Sequence, residues 1–205
     1  MSGRTPPSGE DTSGDAPSVL VVEDERDLAE LYATWLDGSY DVRTAMNGHE
    51  ALAKLDEGVR VVLLDRRMPE FSGDEVLDAI RDRDLDCRVA MVTAVEPDTD
   101  IVDMGFDDYL VKPVSKAELE RTVSNLLIRD EYDDGVRRLF SLSSKKALLE
   151  SEKDSTALEE SEKYQQLLDD IATLRTELDD KLARLGESDD LSRVYQDIER
   201  DDRRD

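Results

Sequence analysis

Three carboxylates, a hydroxyl and an amine stand at the carboxyl ends of short apolar runs in this chain. Val19-Leu20-Val21-Val22 leads into Glu23-Asp24, and Val59-Arg60-Val61-Val62-Leu63-Leu64 leads into Asp65. Val89-Ala90-Met91-Val92 leads into Thr93-Ala94, and Tyr109-Leu110-Val111 into Lys112-Pro113. Apolar runs of this length between turn signals read as buried strands, and open α/β sheets place their chemistry at the carboxyl edge. Glu23, Asp24 and Asp65 gathered there cannot all stay ionised without compensation. A hard divalent cation compensates, and an all-oxygen set suits Mg²⁺. Lys112 adds a second positive charge, Thr93 a hydroxyl donor, and Ala94 leaves room beside it. These parts fit phosphoryl transfer, with Asp65 as the nucleophile that becomes an aspartyl phosphate.

The elements that must position these groups alternate from Ser18 to Ile128. Strands are expected at 18–22, 40–44, 59–64, 88–92 and 108–111. Helices are expected at 25–37, 48–57, 73–83, 98–104 and 115–130. Alternation with short links predicts an α/β fold, a parallel sheet with helices on both faces. Gly38, Gly58 and Gly105 fall near helix ends, where left-handed caps are common. Ser115-Lys116-Ala117-Glu118 has capping-box spacing.

Beyond Ile128 strand signals vanish. Tyr164, Ile171, Leu178 and Leu185 recur every seventh residue, with Leu167, Leu168 and Leu174 between them. That heptad stripe predicts a small all-α helical hairpin or a dimeric coiled coil. A shorter apolar face precedes it, Val136-Leu139-Phe140-Leu142 and Ala147-Leu148-Leu149. Asp154-Ser155-Thr156 either breaks the first helix or caps the second. The domains expected are a disordered tail at 1–16, an α/β domain at 17–130, a helical domain at 131–187 and a charged tail at 188–205. Leu191, Val194, Tyr195 and Ile198 could add a further amphipathic turn.

The formal net charge is −25 over 205 residues, which disfavours a generic nucleic-acid binder because phosphate contacts need clustered Lys and Arg. Residues 17–128 hold 12 basic and 26 acidic side chains, and residues 129–205 hold 14 and 23. An acidic excess on both halves suits a protein of a salt-loving organism, since at about 1 M salt the Debye length falls to about 3 Å. The single cysteine, Cys87, excludes an intrachain disulfide and any multi-cysteine metal site. No apolar run approaches the ~20 residues of a membrane span, and the first residues lack the apolar centre of a signal peptide. A cytoplasmic location is expected.

Glu23-Asp24-Glu25, Asp65 with Met68-Pro69, Gly73, Thr93-Ala94 and Asp107-Asp108-Tyr109-Leu110-Val111-Lys112-Pro113 stand in an order and spacing that resemble the receiver domain of a two-component response regulator, of the chemotaxis-receiver type. The resemblance covers residues 18–128 and implies a flavodoxin-like doubly wound (βα)5 sheet in strand order 2-1-3-4-5. It implies Mg²⁺ bound by Asp24, Asp65 and the backbone carbonyl of Arg67, with Glu23 contacting it through water. It further implies a cis Lys112–Pro113 bond, a histidine kinase as phosphoryl donor, and Thr93 with Tyr109 as a switch pair that reshapes the face of the fourth helix, fifth strand and fifth helix. The segment about 135–185 resembles the HalX-type domain of haloarchaeal response regulators. That match rests on Ser143-Ser144-Lys145-Lys146-Ala147-Leu148-Leu149-Glu150 and the heptad stripe.

Arg67 and Val95 depart from the family pattern, in which smaller residues are common two positions after the phosphoacceptor. At positions that shape access of hydrolytic water, both are expected to slow dephosphorylation. The fourth helix reads as short and acidic, opened by Glu96-Pro97-Asp98. His49 reads as a surface or capping residue and Cys87 as a buried small hydrophobe. The resulting function is a phosphoacceptor switch, not a classical enzyme. It catalyses at most its own phosphorylation and dephosphorylation, and it relays its state to a helical output domain. The alternative is a DNA-binding transcription regulator acting through the C-terminal segment. A homodimer through the C-terminal helices, or through the fourth-helix to fifth-helix face, is left open. A metal-assisted hydrolase is disfavoured, because the sheet edge shows no evident pocket for an outside substrate.

Overall fold

The computed structural model describes residues 16–186, so the expectations for most of 1–16 and for 188–205, including Leu191 to Ile198, lie outside the described residues. The chain divides into two compact units between Glu120 and Arg121. The first holds β1 (Ser18–Val22), α1 (Arg26–Leu36), β2 (Asp41–Ala45), α2 (Gly48–Lys54), β3 (Val59–Leu64), α3 (Gly73–Asp82), β4 (Arg88–Thr93) and β5 (Asp108–Val111). All strand pairs are parallel and the sheet order is β2-β1-β3-β4-β5, as expected. The central strands β1 and β3 are buried almost throughout, while β2 and β5 at the edges are more open. A strand covered on both faces must be apolar along its length, which explains why Val19–Val22 and Val61–Leu64 lack alternation. Leu20, Val62, Leu64, Ile80 and Met91 form the centre of the core.

The ladder extends one residue beyond the strands. The Asp65 amide donates to the Val22 carbonyl at 2.9 Å, Glu23 to Ala45 at 3.0 Å, and Lys112 to Thr93 at 2.8 Å. These bonds hold the residues just past three strand ends at one edge of the sheet.

Helix ends follow local chemistry. Asn47 caps α2 by accepting from the Glu50 amide at 2.8 Å. Ser72 and Glu75 form a capping box on α3, which the spacing alone had not singled out. Ser115 and Glu118 form the expected one, with the Ser115 amide donating to Glu118 at 2.9 Å and the Glu118 amide to Ser115 Oγ at 3.3 Å.

The structure corrects several expected elements. The helix expected at 98–104 is a five-residue 3-10 turn, Thr99–Asp103. Pro97 disfavours helix for the residue before it, and β-branched Thr99, Ile101 and Val102 contribute little helix propensity. Of the three glycines, Gly38 alone adopts a left-handed backbone, φ 86°. Gly58 instead closes a turn by donating its amide to Asp56 Oδ1 at 2.8 Å, and the Gly105 carbonyl accepts from Arg81 Nε at 2.7 Å. Asp84, φ 54°, takes the left-handed position just after α3.

The helix expected to end near 130 is α4, Lys116–Glu152. Residues 129–134 contain no proline, so the change of composition there does not interrupt the backbone.

In the second unit, α4 meets α6 (Glu162–Gly186) after the short α5 (Ser155–Glu159), giving the helical hairpin. The helix breaks between Glu152 and Ser155, where Asp154 stands at the cap position without a side-chain cap bond. Tyr164, Ile171, Leu174, Leu178 and Leu185 are buried, and Leu167 and Leu168 are half-buried. Lys181 pairs with Glu131 at 2.6 Å, and Tyr164 donates to Glu150 at 2.8 Å. The two helices are therefore antiparallel. Gly135 lets them approach closely, since a Cβ there would lie 2.7 Å from Leu178.

A charged network ties the start of β4 to the start of β5. Asp107 accepts from Arg81 at 2.9 Å, Arg88 at 3.1 Å and the Val89 amide at 2.8 Å. Asp107→Ala removes the carboxylate that two guanidinium groups and a backbone donor share, and should lower unfolding free energy by about 2 kcal/mol, measured by denaturant titration. A Cβ on Gly73 would sit 2.1 Å from the Asp65 carbonyl oxygen. Backbone cannot yield as a flexible side chain does, so Gly73→Ala should cost about 1–3 kcal/mol in the same titration.

Candidate functional site

Lys112 is the hub of the sheet edge. Its Nζ donates to Asp65 Oδ2 at 2.6 Å and to Glu23 Oε2 at 2.7 Å. Glu23 is 1% exposed and Asp65 7%. Asp24 is half-buried beside them, and the three carboxylates bring oxygens within 4.8 Å of one another. Asp65 Oδ1 also accepts from the Arg67 amide at 3.2 Å, and Glu23 Oε1 from the Glu25 amide at 3.4 Å. Burial pushes the Glu23 carboxyl above its ordinary range, in spite of Lys112. Burial pulls the Lys112 ammonium down, but its bonds to Asp65 and Glu23 outweigh this and hold it above the ordinary value. One ammonium thus faces three carboxylates. The remaining negative charge and the all-oxygen donor set fit a divalent cation of the Mg²⁺ kind.

Sequence reasoning did not single out Tyr32 on α1. Its phenol is pushed by burial up to about 12, in the field of Lys112, Glu23 and Asp65, so it stays uncharged beneath the cluster. Only its place on the inward face of α1 could have marked it.

The loop from Asp65 to α3 is held tightly. The Gly73 amide donates to the Arg66 carbonyl at 2.9 Å, and Arg66 pairs with Asp74 at 3.0 Å. Met68 is buried and Glu70 adopts φ 65°. Arg67 is exposed. Together with Val95 and Glu96 it lines an open groove of about 640 Å³. The sequence showed no such cavity, because loops from two different strands build it.

Thr93 is fully buried, and its Oγ1 accepts from the Val95 amide at 3.3 Å. Tyr109 Oη donates to the Val95 carbonyl at 2.8 Å, and its ring lies 5.4 Å from that of Phe106. Val95 is therefore held from one side by Thr93 and from the other by Tyr109. The Lys112–Pro113 bond is cis, as expected. His49 is exposed and stacks on Phe71 at 5.1 Å; the helix cap beside it is Asn47. Cys87 is buried.

The receiver-domain family model of response regulators matches residues 19–124, and the HalX domain model matches 128–195. A Haloferax volcanii protein described as a candidate transcriptional regulator is 60% identical over 134 residues, covering 65% of this chain and 23% of that protein. The transcriptional regulatory protein CpxR homolog of Haemophilus influenzae is 42% identical over 115 residues, 54% of this chain and 50% of that protein. The chain thus spans half or less of the length of these relatives. The solved structure of Vibrio cholerae chemotaxis protein CheY4 is similar at 28% identity and TM-score 0.51, covering 54% of this chain and 98% of that one. The matched strands, order and motifs agree with the geometry at the sheet edge, and the chain belongs to the response regulators, with a receiver domain followed by a HalX domain.

Proposed function

We propose that the chain is a phosphorelay switch in which Asp65 accepts a phosphoryl group from a histidine kinase. The observation that carries this is the bridging of Asp65 and Glu23 by Lys112, with Asp24 at hand. Asp65 attacks the donor phosphorus, the phosphorus–nitrogen bond of the phosphohistidine breaks, and the departing imidazole takes up a proton. Glu23, Asp24, Asp65 and the Arg67 carbonyl would hold Mg²⁺, which when bound neutralises charge on the phosphoryl oxygens. Lys112, held charged by its two carboxylates, stays beside Asp65 to bind a phosphoryl oxygen. Thr93 donates its hydroxyl to another.

Thr93 and Tyr109 act as the switch pair. A hydroxyl committed to the phosphoryl group loosens its hold on the Val95 amide, and the Val95 carbonyl is where Tyr109 rests. The same residue therefore links the chemistry to the outer face. In this reading residues 17–130 form the receiver domain and 131–187 the helical output domain. The protein catalyses at most its own phosphorylation and dephosphorylation and works in the cytoplasm. No helix among the described residues is long and apolar enough to cross a membrane.

A second reading, DNA binding through the C-terminal segment, is favoured by the description of the Haloferax relative. The acidic excess of residues 129–205 weighs against it. A salt-dependent shift of a promoter fragment by the full chain would support it. The favoured output is protein contact, including self-association of the C-terminal helices.

Treatment with acetyl phosphate and Mg²⁺ in high salt should place one labile phosphoryl group on Asp65, read by intact-mass and peptide mass spectrometry. Asp65→Asn should take none. A folded protein that binds Mg²⁺ and is never modified, even by a kinase, sinks the reading. Arg67 stands at the groove wall, so Arg67→Asn should shorten the phosphoryl half-life about 5-fold, equivalent to about 1 kcal/mol of barrier. An unchanged half-life removes Arg67 from control of hydrolysis.

A further inference from the structure

The loop between β3 and α3 is pinned at both ends and crosses exposed ground between them. At one end Asp65 Oδ1 accepts from the Arg67 amide at 3.2 Å. At the other the Gly73 amide donates to the Arg66 carbonyl at 2.9 Å. Arg67, Pro69 and Glu70 are exposed, Met68 is buried and Phe71 is half-buried. The Phe71 amide donates back to the Pro69 carbonyl at 2.7 Å, which closes a three-residue turn around Glu70. Glu70 there adopts φ 65°, a left-handed value that favours glycine. A residue with a side chain keeps such a backbone only where its surroundings hold it.

Phe71 supplies the hold. Its ring lies against the first residue of α2, Gly48, so closely that a Cβ there would sit 2.0 Å from Phe71 Cδ1 and 2.9 Å from Val76 Cγ2. It also stacks on His49, with ring centroids 5.1 Å apart and planes 16° from parallel. Beneath it lies the core that includes Met68, Ala51 and Val76. Glycine is the poorest helix former after proline, and Gly48 does not use a left-handed backbone. Its value at this position is therefore the space it leaves for the ring.

We propose that Phe71, seated on Gly48, is a positioning residue for the cation site. This rests on the reading of the sheet edge as a place for Mg²⁺. The carboxylates of Glu23, Asp24 and Asp65 follow directly on strand ends, whereas the Arg67 carbonyl belongs to a loop. Mg²⁺ demands short, near-octahedral contacts, so a carbonyl can serve it only from a backbone that does not drift. Phe71 fixes that backbone from the far side, through the Glu70 turn, and touches no ligand itself.

The test is a Mg²⁺ titration of the nitrogen-labelled full chain in molar KCl, without phosphodonor, followed by the amide resonances of Asp65 and Arg67. Phe71→Ala, which removes the ring, and Gly48→Ala, which pushes it out, should each raise the Kd for Mg²⁺ about 10-fold, equivalent to about 1.4 kcal/mol. Gly48→Ala combined with Phe71→Leu should recover most of the lost affinity, because the smaller side chain yields the space the methyl takes. Asp107→Ala weakens the opposite end of the sheet and should leave the Kd unchanged. The remaining amide resonances show that each variant keeps its fold.

An unchanged Kd in Phe71→Ala, with binding still lost in Asp65→Asn, overturns the proposal and leaves the cation site standing. Equal weakening by Asp107→Ala assigns the effect to stability and overturns it as well. A parent chain in which Mg²⁺ moves neither the Asp65 nor the Arg67 amide sinks the cation site, and the positioning role with it.

Discussion

The structure depends on one electrostatic arrangement, the shared ammonium of Lys112 between two buried carboxylates. Glu23 and Asp65 come from neighbouring strands and Lys112 from the far edge strand, 89 and 47 residues away in sequence. Their meeting requires the strand order and register to be correct to one residue, because a slip of one would turn each side chain to the other face. The amide of Asp65 bonded to Val22, and that of Lys112 bonded to Thr93, supply this accuracy from the backbone. The apolar strands are therefore the means by which charges that repel one another in solution are held within hydrogen-bonding reach.

That arrangement has a cost, seen in the upward push on the Glu23 carboxyl. Removing a carboxylate from water is unfavourable unless it is paired, and one lysine serves two of them. The residual negative potential is what makes the edge fit a divalent cation. The same edge is tied mechanically to its surroundings through a single residue, since Val95 is bonded by its amide to Thr93 and by its carbonyl to Tyr109. A small displacement at the hydroxyl has a direct route to the ring that packs against Phe106.

Much of this could be read from residue order. Buried strands are continuous apolar runs, and a carboxylate just after such a run has one place to be, so β1 and β3 and the convergence of Glu23, Asp24, Asp65 and Lys112 were legible. Features that need partners distant in sequence were not. Arg81, Arg88 and Asp107 look like solvated charges until the fold brings them together. The groove beside Arg67 exists only between two loops. The helix expected to stop near residue 130 continues because a change of composition alters which face is apolar without altering backbone preference. At the 3-10 turn the opposite held: the alternation of elements suggested a short acidic helix, and Pro97 with β-branched residues limited it to a single tight turn.

Salt separates the two scales of electrostatics in this chain. An acidic surface in molar salt is screened within a few ångströms, so its repulsion neither unfolds the protein nor excludes partners of like charge from neutral patches. The Lys112 contacts lie at 2.6 and 2.7 Å, with side chains 12% exposed or less. No screening ion fits between groups so close, and the pairing retains its strength. A solvent that erases long-range fields leaves the contact-range ones intact. The cost of the acidic composition is therefore confined to the surface, while the chemistry at the sheet edge is governed by the few buried charges that the salt does not reach.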